Sequence, residues 1–271
     1  MSLRLRLRTA PGLRVDLRGI TPAVCATLTV AQVERLNVTH GNETLSLADL
    51  FDVSQTEGAT DALSLEGDLA RFDRIGWQMS SGSIVVTGAA GDYIGGAMSG
   101  GAITVLGNAG DLAACEMAGG MLTVEGNVGD FAASTLPGSM DGMRGGTFIV
   151  KGDAGERFAD RMRRGSALVF GNVGDFPASR MVAGTVAIGG SVGAHVGYGM
   201  RRGSVVLAGA APQIATTFVP ALVDAEVFWQ LLARDLARQG GPFAALPSRR
   251  ITRHLGDLGA GGKGELIIVG A

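Results

Sequence analysis

Pairs of apolar positions set two residues apart, each pair closed on both sides by glycine, run through the middle of the chain. They are Ile84/Val86, Ile103/Val105, Leu122/Val124, Phe148/Val150, Ala167/Val169, Val186/Ile188 and Val205/Leu207. Side chains two apart on an extended backbone point to one face, so each pair predicts a short strand with one buried side. The frame is M-x-x-G-x-Φ-x-Φ-x-G, with Φ apolar. It starts at Met79, Met98, Met117, Met143, Met162, Met181 and Met200, in steps of 19, 19, 26, 19, 19 and 19 residues. The glycines keep register as Gly82/Gly88/Gly91, Gly101/Gly107/Gly110, Gly120/Gly126/Gly129, Gly146/Gly152/Gly155, Gly165/Gly171/Gly174 and Gly184/Gly190/Gly193, and Gly203/Gly209 opens a seventh copy. They read as structural corners, where a sharp bend calls for positive φ or for close approach to the neighbouring unit. A unit this short cannot bury its apolar face alone, but stacked units can, which predicts an all-β solenoid of about seven or more 19-residue coils. The 26-residue step holds Leu136-Pro137-Gly138-Ser139, turn chemistry that predicts a protruding loop.

Outside the repeat the pattern is less regular. Leu63 to Asp68 reads as a degenerate earlier copy, Leu3 to Arg8 as a strand with one wet face, and Val30–Leu36 as a short helix. Apolar residues at Ala221, Leu222, Ala225, Phe228, Trp229, Leu232 and Leu236 approach helical spacing and stop at Gly240-Gly241-Pro242. An amphipathic helix over Ala221–Arg238 is therefore expected, followed by a last strand over Glu265–Gly270. The division that follows is an N-terminal cap at residues 1–60, glycine-rich repeats at 61–212, and a C-terminal helix with closing strand at 213–271.

Composition adds exclusions. Glycine fills 44 of 271 positions, yet the chain is 46% apolar and 18% charged, so the glycine belongs to a packed structure and not to disorder. A net charge of −2 gives no footprint for nucleic acid, and no apolar run approaches the roughly 20 residues of a membrane span. The amino terminus lacks the continuous apolar core of an export signal. Cys25 and Cys115 stand far apart without a CxxC, so no cluster or zinc site is encoded. A cytoplasmic, reduced setting is expected.

Candidate chemistry is sparse. His195 occupies a station filled elsewhere by Tyr93, Leu112, Phe131 and Phe176, which favours packing over catalysis, and His40 and His254 fall in no motif. The glycine turns lack the GK[ST] of a phosphate loop. One methionine per repeat reads as a packed ladder, and Asp92, Asp111, Asp130, Glu156 and Asp175 read as turn-forming acids, with calcium ligation the weaker alternative. No catalytic or metal-ligating residue is assigned. Two features point to partners. Val85, Thr104, Thr123, Ile149, Leu168, Ala187 and Val206, flanked by Leu106 and Phe170, should face outward and are too apolar for a free surface. Either the chain's own helix or another subunit should cover them. Arg144, Arg163, Arg164, Arg201 and Arg202 recur at equivalent stations, as a solvated face or as a cationic track for an acidic partner or a polyglutamate-bearing cofactor.

Repeated G-x-Φ-x-Φ-x-G-x-x-G units resemble the C-terminal domain of the glutamate synthase large subunit and the C subunit of formylmethanofuran dehydrogenase. Both are right-handed β-helices, so the resemblance implies that handedness here. Asp16-Leu17-Arg18-Gly19-Ile20-Thr21-Pro22, Gly41-Asn42, Leu47-Ala48-Asp49-Leu50-Phe51-Asp52-Val53 and Ile75-Gly76 look like the formylmethanofuran dehydrogenase C subunit. That resemblance implies a non-catalytic scaffold of a formyltransferase/hydrolase complex in one-carbon metabolism. The complex would act on the formyl group of methanofuran or an analogue. An amidohydrolase-like subunit and a formyltransferase subunit are the implied partners. This chain would bind no cofactor itself, leaving the methanofuran-type carrier, the tetrahydromethanopterin-type carrier and any metals to those partners. Arginine outnumbers lysine 21 to 2, a bias of GC-rich bacterial genomes, which favours a methylotrophic bacterium. The alternatives are a glutamate synthase-like scaffold in an amidotransferase complex, a β-helix acyltransferase, and a pectate-lyase-like helix. The 19-residue period speaks against the hexapeptide acyltransferases, and a single loop insertion against the lyase.

Overall fold

Each Φ-x-Φ station is a strand in the computed structural model, which describes residues 2–56, 61–222 and 225–270. The strands Ser83–Thr87, Ala102–Val105, Met121–Val124, Thr147–Val150, Ser166–Val169, Thr185–Ile188 and Arg202–Leu207 lie side by side, parallel and in register, so Ile84 sits beside Ile103 and Val86 beside Val105. Their inward residues are buried to within 1% of full coverage, and with the seven repeat methionines they form one continuous core. The degenerate copy is real: Ala62–Glu66 pairs in parallel with Ser83–Thr87.

Added strands extend this array at both ends. Ser2–Leu7 joins Ala62–Glu66 in parallel and Phe51–Thr56 antiparallel, while Lys263–Val269 joins Arg202–Leu207 in parallel and then pairs antiparallel with Ile251–Gly256, beyond which lies Val219–Pro220. The result is a thirteen-stranded sheet, mostly parallel, beside a four-stranded sheet of Glu43–Ser46, Asn37–His40, Val15–Asp16 and Phe72–Asp73. The expectation of a right-handed β-helix solenoid is corrected by this arrangement. Only the Φ-x-Φ face of each repeat is a hydrogen-bonded strand. The remainder contributes single-residue bridges, from Leu69–Ala90 through Val173–Val192, and a run of turns, where a β-helix would carry further sheets. Antiparallel strands, absent from the repeat, form both margins of the wide sheet.

The three glycines of a repeat answer different constraints. At the first station, represented by Gly120, φ is +82° and a Cβ would come within 2.6 Å of the Gly101 carbonyl. Of the two causes expected at a corner, positive φ and close approach to the neighbouring unit, the first station shows both and the other two show close approach. Gly107, Gly126, Gly152, Gly171 and Gly190, second in their repeats, and Gly91, Gly110, Gly129, Gly155, Gly174 and Gly193, third in theirs, do not adopt left-handed backbone; at the second station Gly88 alone does, at +137°. The preceding repeat is what excludes a side chain there. A Cβ at Gly88, Gly107 or Gly190 would meet a carbonyl of that repeat at 2.0–2.6 Å, and at Gly91 the Phe72 carbonyl at 2.5 Å. At Gly126, Gly152 and Gly171 it would strike Asn108, Asn127 and Asp153 in turn, and at Gly110, Gly129, Gly155 and Gly193 an Asp, always at the oxygen that caps the stack, 2.0–2.3 Å away. Gly174 has more room, its nearest atom being the Glu156 amide nitrogen at 3.0 Å. These glycines are spacers between stacked turns.

Conversely, left-handed backbone occurs where glycine is absent. Tyr93, Leu112, Phe131, Arg157, Phe176 and His195 adopt it, φ 56–62°, in successive repeats. Each costs about 1–2 kcal/mol relative to ordinary conformations. The cost is offset by hydrogen bonds between repeats: the amides of Tyr93, Leu112, Phe131, Arg157 and Phe176 each donate over 2.8 Å to a carbonyl of the next repeat.

The short helix expected at Val30–Leu36 runs over Val30–Glu34, closed at its start by a capping box between Thr29 and Gln32. The boundary set at residue 60 falls on residues 57–60, outside those described. The C-terminal helix is Glu226–Ala237 and not Ala221–Arg238. Val219–Pro220 pairs with His254 and Leu255 and the Ala221 amide donates to Arg253, so this end of the expected helix is extended; Val223 and Asp224 lie outside the described residues. The final strand spans Lys263–Val269. Trp229, Ala233 and Leu236 of the helix bury against Ile149, Leu168, Ala187, Val206 and Ile267, with Phe243 and Leu246 closing the cluster. The outward apolar stripe is thus divided. Its C-terminal half lies under the chain's own helix, while Val85 and Leu106 remain exposed.

Candidate functional site

The five arginines singled out from the sequence line one groove. Arg144, Arg163, Arg164, Arg201 and Arg202 sit where the turns feed into the strands of their repeats, and surround a depression of about 580 Å³. The intervening repeat puts Val182 and Ala183 at this station, so the lining there is uncharged between the cations of the repeats on either side. Asp141, on the inserted loop, accepts a hydrogen bond from Arg163, and Glu116 lies 3.7 Å from Arg144. Arg164, Arg201 and Arg202 form no ion pair among the described residues.

The groove continues into a second depression of about 420 Å³, lined by Met140, Arg161 and Arg180 and sharing Arg163, Val182 and Arg201 with the first. Here a buried carboxylate organises the cations. Asp160 accepts the Ser179 hydroxyl at 2.6 Å and both oxygens take Arg180 Nη2 at 2.9 Å, with Arg161 at 3.7 Å. A bidentate contact fixes the plane of the Arg180 guanidinium. Sequence reasoning missed Arg161, Arg180, Asp160 and Ser179. A signal was present for the arginines, since Arg161 and Arg180 stand one nineteen-residue period apart. Together seven arginines face three carboxylates, so the surface is strongly cationic and suited to carboxylate or other anionic ligands.

The other candidates are structural in their contacts. None of the repeat glycines from Gly82 to Gly193 lines either depression. His195 stacks on Phe176, centroids 4.6 Å apart, while His40 Nε2 accepts the Leu13 amide and His254 lies on the strand Ile251–Gly256, so the three imidazoles do not converge. Among the described residues no group of three or more His, Cys, Asp or Glu is arranged to hold a metal ion. The acidic row caps backbone: Asp92, Asp111, Asp130 and Asp175 each accept, through Oδ1, the amide of the residue at or near their own station in the next repeat. Cys25 and Cys115 are buried, and desolvation pushes their thiols up to about 11 and about 12. Among the described residues no helix is long and apolar enough to cross a membrane.

Comparison with known proteins places this architecture. The GXGXG motif family model matches residues 137–231. The C subunit of the formyltransferase/hydrolase complex of Methylorubrum extorquens is 42% identical over 87 residues, 32% of each chain. The C subunit of tungsten-containing formylmethanofuran dehydrogenase 2 from Methanothermobacter thermautotrophicus is 34% identical over 86 residues, 31% of this chain and 32% of that one. These alignments span about a third of the curated relatives. The structural match is wider. A chain in the crystal structure of the Methylorubrum extorquens formyltransferase/hydrolase complex (FhcABCD) with methylofuran superposes with a TM-score of 0.91 at 40% identity, over 99% of this chain and 100% of that one. This chain belongs to the family of formylmethanofuran dehydrogenase C subunits.

Proposed function

We propose that this chain is a non-catalytic structural subunit of a formyltransferase/hydrolase complex, acting on the formyl group carried by methanofuran or a close analogue. The observation that carries the reading is the superposition along the whole chain on a component of the methylofuran-bound complex. The partners are an amidohydrolase-like subunit and a formyltransferase subunit, which hold the carriers and any metals. The groove of Arg144, Arg163, Arg164, Arg201 and Arg202 contacts an acidic surface of one of them or the polyglutamate tail of the furan carrier. Its unpaired arginines support this, because cations held at a fixed spacing favour a ligand with a row of carboxylates.

Formyl transfer between the furan and pterin carriers should be measured for the purified single chain and for the assembly isolated through it. Activity is expected only in the assembly, and turnover by the single chain would overturn the non-catalytic role. Reversing Arg163, Arg164, Arg201 and Arg202 to Glu together should lower assembly or activity at least about tenfold; a variant equal to wild type in both would remove the groove from the account.

A further inference from the structure

A second surface lies along a different turn of the repeat. The left-handed station carries Arg74, Tyr93, Leu112, Phe131, Arg157, Phe176 and His195 in consecutive copies. Glycine would occupy this backbone without strain, and the chain places rings and guanidinium groups there instead. They stack on one another: Arg74 lies 4.6 Å from the Tyr93 centroid, Arg157 is 4.8 Å from Phe176, and Phe176 faces His195 at 4.6 Å with Tyr198 edge-on. The row is partly open to solvent: Phe131 is 41% and Tyr198 57% exposed and His195 is exposed, while Tyr93, Leu112, Arg157 and Phe176 are half-buried. Aromatic side chains left exposed in a rigid row, as Phe131 and Tyr198 are, have the composition of the buried centre of a protein interface.

The charge beside this row identifies what covers it. An acid stands one residue before this station in the five copies from Tyr93 to Phe176, Asp92, Asp111, Asp130, Glu156 and Asp175, while Ala194 precedes His195. Their hydrogen-bonding task does not call for a charge, as the neighbouring ladder shows. There Asn108, Asn127, Asp153 and Asn172 make the same contact, Oδ1 to the next repeat's amide at 2.6–2.9 Å, mostly with neutral amides. Asp111, Asp130, Glu156 and Asp175 have no ion pair among the described residues, and stacked repeats set such groups only about 4.8 Å apart. The column is therefore self-repelling as it stands, and a cationic surface laid along it removes the repulsion while its arginines stack on the rings.

We infer that the row of Phe131, Phe176, His195 and Tyr198, edged by Asp111, Asp130 and Asp175, is a docking surface for an arginine- or lysine-bearing face of another subunit of the complex. The inference rests on the proposed membership of a complex and adds a contact distinct from the arginine groove. Two variants test it: Asp111→Asn/Asp130→Asn/Asp175→Asn, which keeps every capping oxygen, and Phe131→Ser/Tyr198→Ser. Each is co-expressed, tagged, with the remaining subunits, and partner retention is measured over a series of salt washes. The melting temperature of each variant chain is compared with wild type. The triple variant should melt at or above the wild-type temperature, because the repulsion within the column is gone, yet lose partners at least about tenfold more readily at low salt, with a flatter salt dependence. The ring variant should lose the same partner. Wild-type retention and salt dependence in both variants would overturn the inference. So would loss of self-association alone, seen by light scattering with the mixed complex intact, since a second copy would then be the occupant. If the wild-type chain retains no partner, membership of the complex fails first, an outcome separable from failure of this surface.

Discussion

Asn127 accepts the Asp153 amide at 2.8 Å across the gap between two repeats, and the same contact recurs up the stack. Replacing it by Ala strands that amide, so Asn127→Ala should cost about 0.5–1.5 kcal/mol, whereas Asn127→Asp should stay near wild type. Urea unfolding with unchanged slope would check both. The two thiols give a second test at this scale. With Cys25 and Cys115 pushed up to about 11 and about 12, the thiolate fraction at pH 8 is at most on the order of one in a thousand. Native protein should react slowly with a disulfide reagent, and both thiols should react on unfolding. Rapid native labelling would contradict the burial. The capping ladders are half legible in the sequence: the acids predict turns and stand at turns, but a side chain that bonds one period away leaves no local signal. At Gly110 and Gly129 the need for close approach to the neighbouring repeat is legible, but not that the atom given room is the capping oxygen of the preceding repeat. The left-handed backbone at Phe131 and Arg157 is not legible at all, because no local propensity favours it there and only bonds between repeats impose it.

Among the elements, strands are the most legible, since two apolar positions bracketed by glycine fix both the face and the ends. The C-terminal helix is expected too early because Ala221 and Ala225 fit its period, while the pairing of Val219–Pro220 with the neighbouring strand, a tertiary contact, draws the start of that segment into the sheet. That helix covers half of the sheet's outer face through Trp229. Trp229→Ala should therefore cost about 3–5 kcal/mol and expose apolar surface to a hydrophobic dye, measurable by thermal melting and dye fluorescence. Gly120→Ala tests the turn. It places a Cβ against the Gly101 carbonyl in left-handed backbone, and should destabilise by at least about 1 kcal/mol. The same change at Gly12, which has open space about it, should be close to neutral.

For the whole molecule, the period predicts stacking, and stacking is what brings Arg144, Arg163 and Arg201 together from stations up to 57 residues apart. It does not predict the architecture. A β-helix is expected, and the chain builds a thirteen-stranded mixed sheet with a smaller second one, because its turns and single bridges occupy the positions where further strands would have to form. The second cationic depression escapes sequence reasoning for a related reason: Arg161 and Arg180 become a site only through Asp160 beneath them. Both charged surfaces make sense on a subunit and little sense on a chain that acts alone. The most direct test is affinity purification of the tagged chain from its own host, with mass spectrometry of what is retained. The account predicts an amidohydrolase-like and a formyltransferase subunit in fixed proportion. Recovery of the chain alone, or of glutamate synthase-type partners, would contradict it.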